Sequence, residues 1–246
     1  MINGNYTEIG GFKCLNFIFE EREARIIFPN TEKNGKWLLK TEYADAFMDT
    51  EFELINRGYC CAFLSNRSRW GLKEDLERKS RFIKFVSEEL GLNKKCALVG
   101  MSCGGLMAIK QAAFNSEDIA CLYLDAPVLN YMSCPCGFGI GEPLGGDGVG
   151  EILRDLNMKS ISELLIYRDM PMHNIDKLIK AQMPVIMVAG DSDTCVPYCE
   201  NGIVLEEAYK ETSLPFLLYI KENCDHHPHG HTDVKVTADF IDKYYL

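Results

Sequence analysis

The apolar residues of this chain come mostly in short uninterrupted runs, and between those runs apolar residues recur every three or four positions. Phe12–Phe19 alternates and then becomes continuously apolar, a charged turn at Glu20-Glu21-Arg22 follows, and residues 25–28 are mostly apolar again. That pattern predicts a hairpin, with residues 29–35 a polar loop leaving its second strand. Ala44, Phe47, Met48, Phe52 and Ile55 share a helical face that ends at Arg57-Gly58. Residues 59–64 show no alternation, as a strand of a parallel sheet covered on both faces requires. Leu72, Leu76, Ile83, Val86 and Leu90 mark a long amphipathic helix stopped by Gly91, and further buried-strand runs follow at Cys96–Val99 and Ile119–Asp125.

Between residues 128 and 180 the pattern breaks. Seven glycines between Gly137 and Gly150 make a flexible passage, with no Gly-Lys-Ser/Thr ending of a phosphate loop. Short helical patterns come next, at residues 151–156 and 161–167. Alternation then resumes with a strand at 184–190, a helix at 200–210, a strand at 215–220 and a closing helix at 234–245. This order predicts an α/β fold built on one mostly parallel, doubly covered sheet. No composition shift marks a boundary, so residues 1–246 read as one domain, with 128–180 an excursion from it.

Composition narrows the function. The net charge of −10 argues against a nucleic-acid partner, whose phosphates need a basic footprint. No apolar run approaches the roughly 20 residues of a membrane span, and Met1-Ile2-Asn3-Gly4-Asn5-Tyr6 lacks the basic start and apolar core of a secretory signal. The eleven cysteines are odd in number and sit mostly in apolar runs, which reads as free thiols in a reducing cytoplasm. Cys134-Pro135-Cys136 is one residue tighter than the usual Cys-x-x-Cys metal or redox spacing. The expectation is a cytoplasmic protein with neither a membrane nor a nucleic-acid partner; its oligomeric state is left open.

The chemistry centres on Gly100-Met101-Ser102-Cys103-Gly104, which follows one buried strand and opens a small-residue helix. Strand, tight turn and helix in that order are what a nucleophile elbow needs, with the serine projecting from a strained backbone and glycines two before and two after it, where a Cβ would clash. Here the chain resembles the α/β-hydrolase superfamily. The resemblance implies an oxyanion hole with one donor from the backbone N–H of Cys103. The other would come from the loop after the hairpin, at Asn30 or Thr31, although the frequent His-Gly pair is absent there. It also implies that residues 128–180 form a small cap. Trp70, in the loop at residues 65–71, either stacks on a substrate ring or covers the edge of the core.

The strand ending at Gly190 opens into Asp191-Ser192-Asp193-Thr194-Cys195-Val196-Pro197, similar to the family's acid-bearing Gly-x-x-Asp-x-x-Val-Pro, which makes Asp193 the acid and Asp191 the alternative. The loop after the last strand carries Asp225-His226-His227-Pro228-His229-Gly230-His231, and the base falls on His226, with His227 the alternative. The order Ser102, Asp193, His226 is that of the fold. A serine hydroxyl needs such a neutral imidazole to take its proton, and the imidazole needs the carboxylate to fix its tautomer. Four histidines within six residues also invite a metal reading. Pro228 interrupts the run, and no helical i, i+4 His pair or distant Cys partner is evident, so no metal and no other cofactor is expected.

The resulting expectation is a serine hydrolase that cleaves a carboxylic ester of a small or polar molecule, such as an acylated sugar, through an acyl-enzyme. The motifs are also similar to those of prolyl-oligopeptidase-like hydrolases, which makes a peptidase the alternative. A member of the fold that binds without turnover is the remaining class.

Overall fold

The computed structural model describes residues 2–245. Nine strands form one sheet: β1 (Asn5–Ile9), β2 (Phe12–Phe19), β3 (Arg22–Ile27), β4 (Trp37–Lys40), β5 (Cys60–Leu64), β6 (Cys96–Met101), β7 (Ile119–Asp125), β8 (Val185–Gly190) and β9 (Phe216–Lys221). Their spatial order is β1-β2-β3-β5-β4-β6-β7-β8-β9. The first three strands pair antiparallel and the last six run parallel, so the mostly parallel sheet expected from the apolar runs is present.

Among the described residues there are eight α-helices: α1 (Asp49–Asn56), α2 (Lys73–Leu90), α3 (Cys103–Phe114), α4 (Gly148–Asp155), α5 (Ile161–Leu165), α6 (Ile175–Lys180), α7 (Gly202–Lys210) and α8 (Val234–Tyr244). Successive residues of a buried strand feed opposite layers. Trp37 and Leu39 join the core shared with Phe82 and Ile83 of α2 and Ile109 of α3, whereas Leu38 joins the core shared with Leu54 of α1 and Ile241 of α8. Burial on both sides is why these strands are apolar throughout.

A third apolar cluster lies where the excursion meets the sheet, joining Trp70, Leu106, Val128, Tyr131, Ile152 and Leu164. Among the described residues no helix is long and apolar enough to cross a membrane.

The sequence pattern passed over β1 and β4. The second omission matters for the site. Trp37–Lys40 is four residues long and ends in lysine, so it carries little strand signal. Lys40 is nevertheless buried, because its ammonium pairs with the equally buried Glu51 and donates to Ala46 O at 2.6 Å. A buried charge with a hydrogen-bonded partner satisfies what burial otherwise forbids.

Candidate active site

Ser102 sits between β6 and α3 at φ +54°, ψ −121°, a backbone region that costs a non-glycine residue about 1–3 kcal/mol. The turn is held from three sides. Ser102 N donates to Asp125 O at 2.9 Å, and Ser102 O accepts from Gly105 N at 2.9 Å and Val128 N at 3.1 Å. A Cβ on Gly100 would run into the backbone of Gly104, so the strand can meet the helix only without one. Gly104 has more room than expected, with Glu42 Cβ at 3.2 Å from such an atom. The tight position on the helix is Gly105, whose Cβ would fall 2.5 Å from Pro127 Cβ.

His226 Nε2 lies 3.1 Å from Ser102 Oγ, and His226 Nδ1 lies 2.8 Å from Asp193 Oδ2. The other oxygen of Asp193 accepts from Cys195 N at 2.9 Å and Val196 N at 2.7 Å, which aims the carboxylate across the strand ends. Asp191, by contrast, is exposed and turned to Ser192 Oγ. Asp225 receives Thr194 N and His226 N, tying the loop of the base to the loop of the acid. Burial by itself would lower the pKa of His226; the hydrogen bond to Asp193 and that carboxylate's charge outweigh it, and the net shift is upward.

These groups face a cavity of about 350 Å³ whose lining includes Tyr43, Phe47, Met101, Leu144 and Cys195 together with Ser102. Cys103 lies at the first turn of α3, where backbone N–H groups have no partner within the helix. Its thiol is buried and pushed up to about 11 by that burial, so it packs and does not attack.

Two expected site residues lie elsewhere. β3 runs antiparallel to β5, with Ile27 opposite Cys61 and Ala24 opposite Leu64. The loop after β3 therefore emerges at the edge where the parallel strands begin, opposite Ser102. Asn30 is exposed there and donates to Gly11 O at 3.1 Å. The loop that does flank the elbow follows β4: Thr41 Oγ1 donates to Gly104 O at 2.6 Å, and Tyr43 enters the cavity. Overlooking β4 is what hid Tyr43. Trp70 is fully buried, with Nε1 donating to Glu151 Oε1 at 3.0 Å and its ring edge-on to Tyr131, so it holds the excursion to the sheet and does not reach the cavity.

The interrupted histidine run does not keep its imidazoles apart. His226, His227 and His229 lie edge-to-face with ring centroids 4.8–4.9 Å apart, while His231 lies against Tyr219 instead. His229 Nδ1 reaches Asp125 Oδ1 at 2.7 Å.

No family model matches the chain, and no curated protein matches it. Solved structures do. An acylaminoacyl peptidase from Pyrococcus horikoshii aligns over 95% of this chain with a TM-score of 0.74 at 13% identity. Dipeptidyl peptidase 4 from Porphyromonas gingivalis aligns over 95% with a TM-score of 0.70 at 15% identity. A puromycin hydrolase aligns over 94% with a TM-score of 0.68 at 17% identity. The chain spans 42%, 35% and 38% of the length of those three chains. At these identities the likeness is one of fold, and the fold is that of the α/β-hydrolases.

Proposed function

We propose that the chain is a serine hydrolase that cleaves amide bonds of short peptides through an acyl-enzyme on Ser102. One observation carries the reading: a strained serine whose Oγ is 3.1 Å from an imidazole that is itself 2.8 Å from a buried carboxylate. The serine proton passes to His226 Nε2 as Oγ attacks the carbonyl carbon, and Asp193 holds the Nδ1 proton and stabilises the imidazolium. Charge developing on the carbonyl oxygen is taken by the Cys103 N–H and, from the loop after β4, by the Tyr43 hydroxyl. Each such donor is worth roughly 3 kcal/mol in the transition state. His226 then returns its proton to the leaving nitrogen, and water enters by the same base to release the acid.

The peptidase reading moves ahead of the ester hydrolase expected from the sequence because two of the three solved structures described above are named as peptidases. Phe47, Met101 and Leu144 in the cavity wall favour an uncharged acyl side chain.

The test compares aminoacyl p-nitroanilides with p-nitrophenyl acetate, and labels wild type and Ser102→Ala with a fluorophosphonate probe. Anilide turnover, with labelling lost in the variant, is the expected result. Undiminished labelling of Ser102→Ala would remove the nucleophile, and ester turnover without any anilide turnover would return the reading to an esterase.

A further inference from the structure

The proton transfers of the acyl-transfer chemistry run through His226 and Asp193, and the side chains of Asp125, His227 and His229 take no part in them. Asp125 and His229 are both buried, and the Asp125 carboxylate accepts from His229 Nδ1 at 2.7 Å and from Gly230 N at 2.6 Å. With Nδ1 engaged by this carboxylate, Nε2 is the ring nitrogen of His229 left to ligate. That arrangement, a carboxylate behind an imidazole, is how proteins orient histidines toward a metal ion. His226 has the same construction, with Asp193 on Nδ1 and Nε2 directed to Ser102 Oγ.

The third imidazole, His227, is exposed and stacked on Phe47, which also meets His229 edge-on. One nitrogen from each of the three rings falls within 4.8 Å of the others. Tetrahedral zinc holds imidazole nitrogen at about 2.0–2.1 Å, which sets neighbouring ligand nitrogens about 3.3 Å apart. The three rings, with centroids 4.8–4.9 Å apart, would close on one ion by drawing their nitrogens together by up to about 1.5 Å.

We propose that His226, His227 and His229 form a binding site for a divalent cation of the zinc class, and that the bound cation takes the His226 Nε2 lone pair away from Ser102. An all-imidazole set suits zinc, copper, nickel and cobalt and not magnesium or calcium. Three protein ligands leave the fourth position to water. The site itself stands on geometry alone; the loss of activity on binding rests on the reading of His226 as the base.

Isothermal titration of zinc chloride into the EDTA-treated, dialysed chain should give one site per chain, in wild type and in Ser102→Ala alike. His227→Ala, which alters an exposed side chain, and His229→Ala should each weaken that site by about tenfold or more, and Asp125→Asn by a similar factor through His229. His231→Ala should bind as wild type does. Equal affinity of His227→Ala and wild type would overturn the site, as would a thiolate charge-transfer band in the cobalt complex, which would assign the ion to cysteine. Zinc should also slow fluorophosphonate labelling of wild type, and EDTA should restore it. Histidine-dependent binding with labelling unslowed would keep the site and overturn its effect on His226.

Discussion

Asp125 and His229 make a buried hydrogen-bonded pair at 2.7 Å that joins the end of β7 to the loop bearing His226. The same aspartate accepts Ser102 N through its backbone oxygen at 2.9 Å. One residue thus fixes both the turn at Ser102 and the loop of His226. In Asp125→Asn the backbone contact remains while the anchor of the loop is weakened. The expected result is a fall in kcat by up to about 10²-fold with KM little changed, the cost of a small displacement of the base. An unchanged kcat would remove Asp125 from positioning.

The pH profile follows from His226. The proposed mechanism needs its neutral form, and its pKa is raised in the fold, so kcat/KM should rise with pH through an ionisation centred above the usual imidazole value of about 6.5. Asp193→Asn removes the hydrogen bond and the charge that raise it most, while burial still lowers it. The midpoint should then move down from its wild-type position, and the plateau should fall by roughly 10⁴. Profiles recorded with EDTA present check both.

Tyr43→Phe keeps the ring in the cavity and deletes the hydroxyl. A loss of about 10²–10³ in kcat is expected. An unaltered kcat, with thermal stability also unaltered, would transfer the second oxyanion donor to a backbone N–H of the same loop.

The buried pair of Lys40 and Glu51 closes β4 against α1, and Lys40 also holds Ala46 O beside the cavity. Glu51→Ala strands the ammonium and should cost about 3–5 kcal/mol in urea unfolding. Replacing both with apolar residues of similar volume should restore most of that stability. Failure of the double variant to recover would mean that the pair stabilises the fold beyond compensating its own burial.

The two elbow glycines should not respond alike to alanine. Gly100→Ala drives a methyl into the Gly104 backbone, with Gly104 O only 2.3 Å away, whereas Gly104→Ala meets Glu42 Cβ at 3.2 Å and Thr41 Oγ1 at 3.3 Å, contacts that need give by only a few tenths of an ångström. Thermal melts should show Gly100→Ala far less stable than Gly104→Ala. Equal melting temperatures would contradict the tight crossing of β6 and α3.

The chain by itself determined the strand–helix alternation and the strand ends at which Ser102, Asp193 and His226 would lie, because burial on both faces of a parallel sheet writes itself as continuous apolar runs. It did not reveal β4, whose four residues end in a lysine that is tolerable only once Glu51 meets it from another element. That omission moved the oxyanion loop to Asn30, at the wrong edge of the sheet, and left Tyr43 unnoticed. Only the tertiary structure decided which histidine faces Ser102, that Trp70 is core, and that three imidazoles on either side of Pro228 converge. The physical reason is one of range. Periodicity reports what each residue does about water, whereas a site is made of distances between residues far apart in the chain, which depend on strand order and on where each loop turns back.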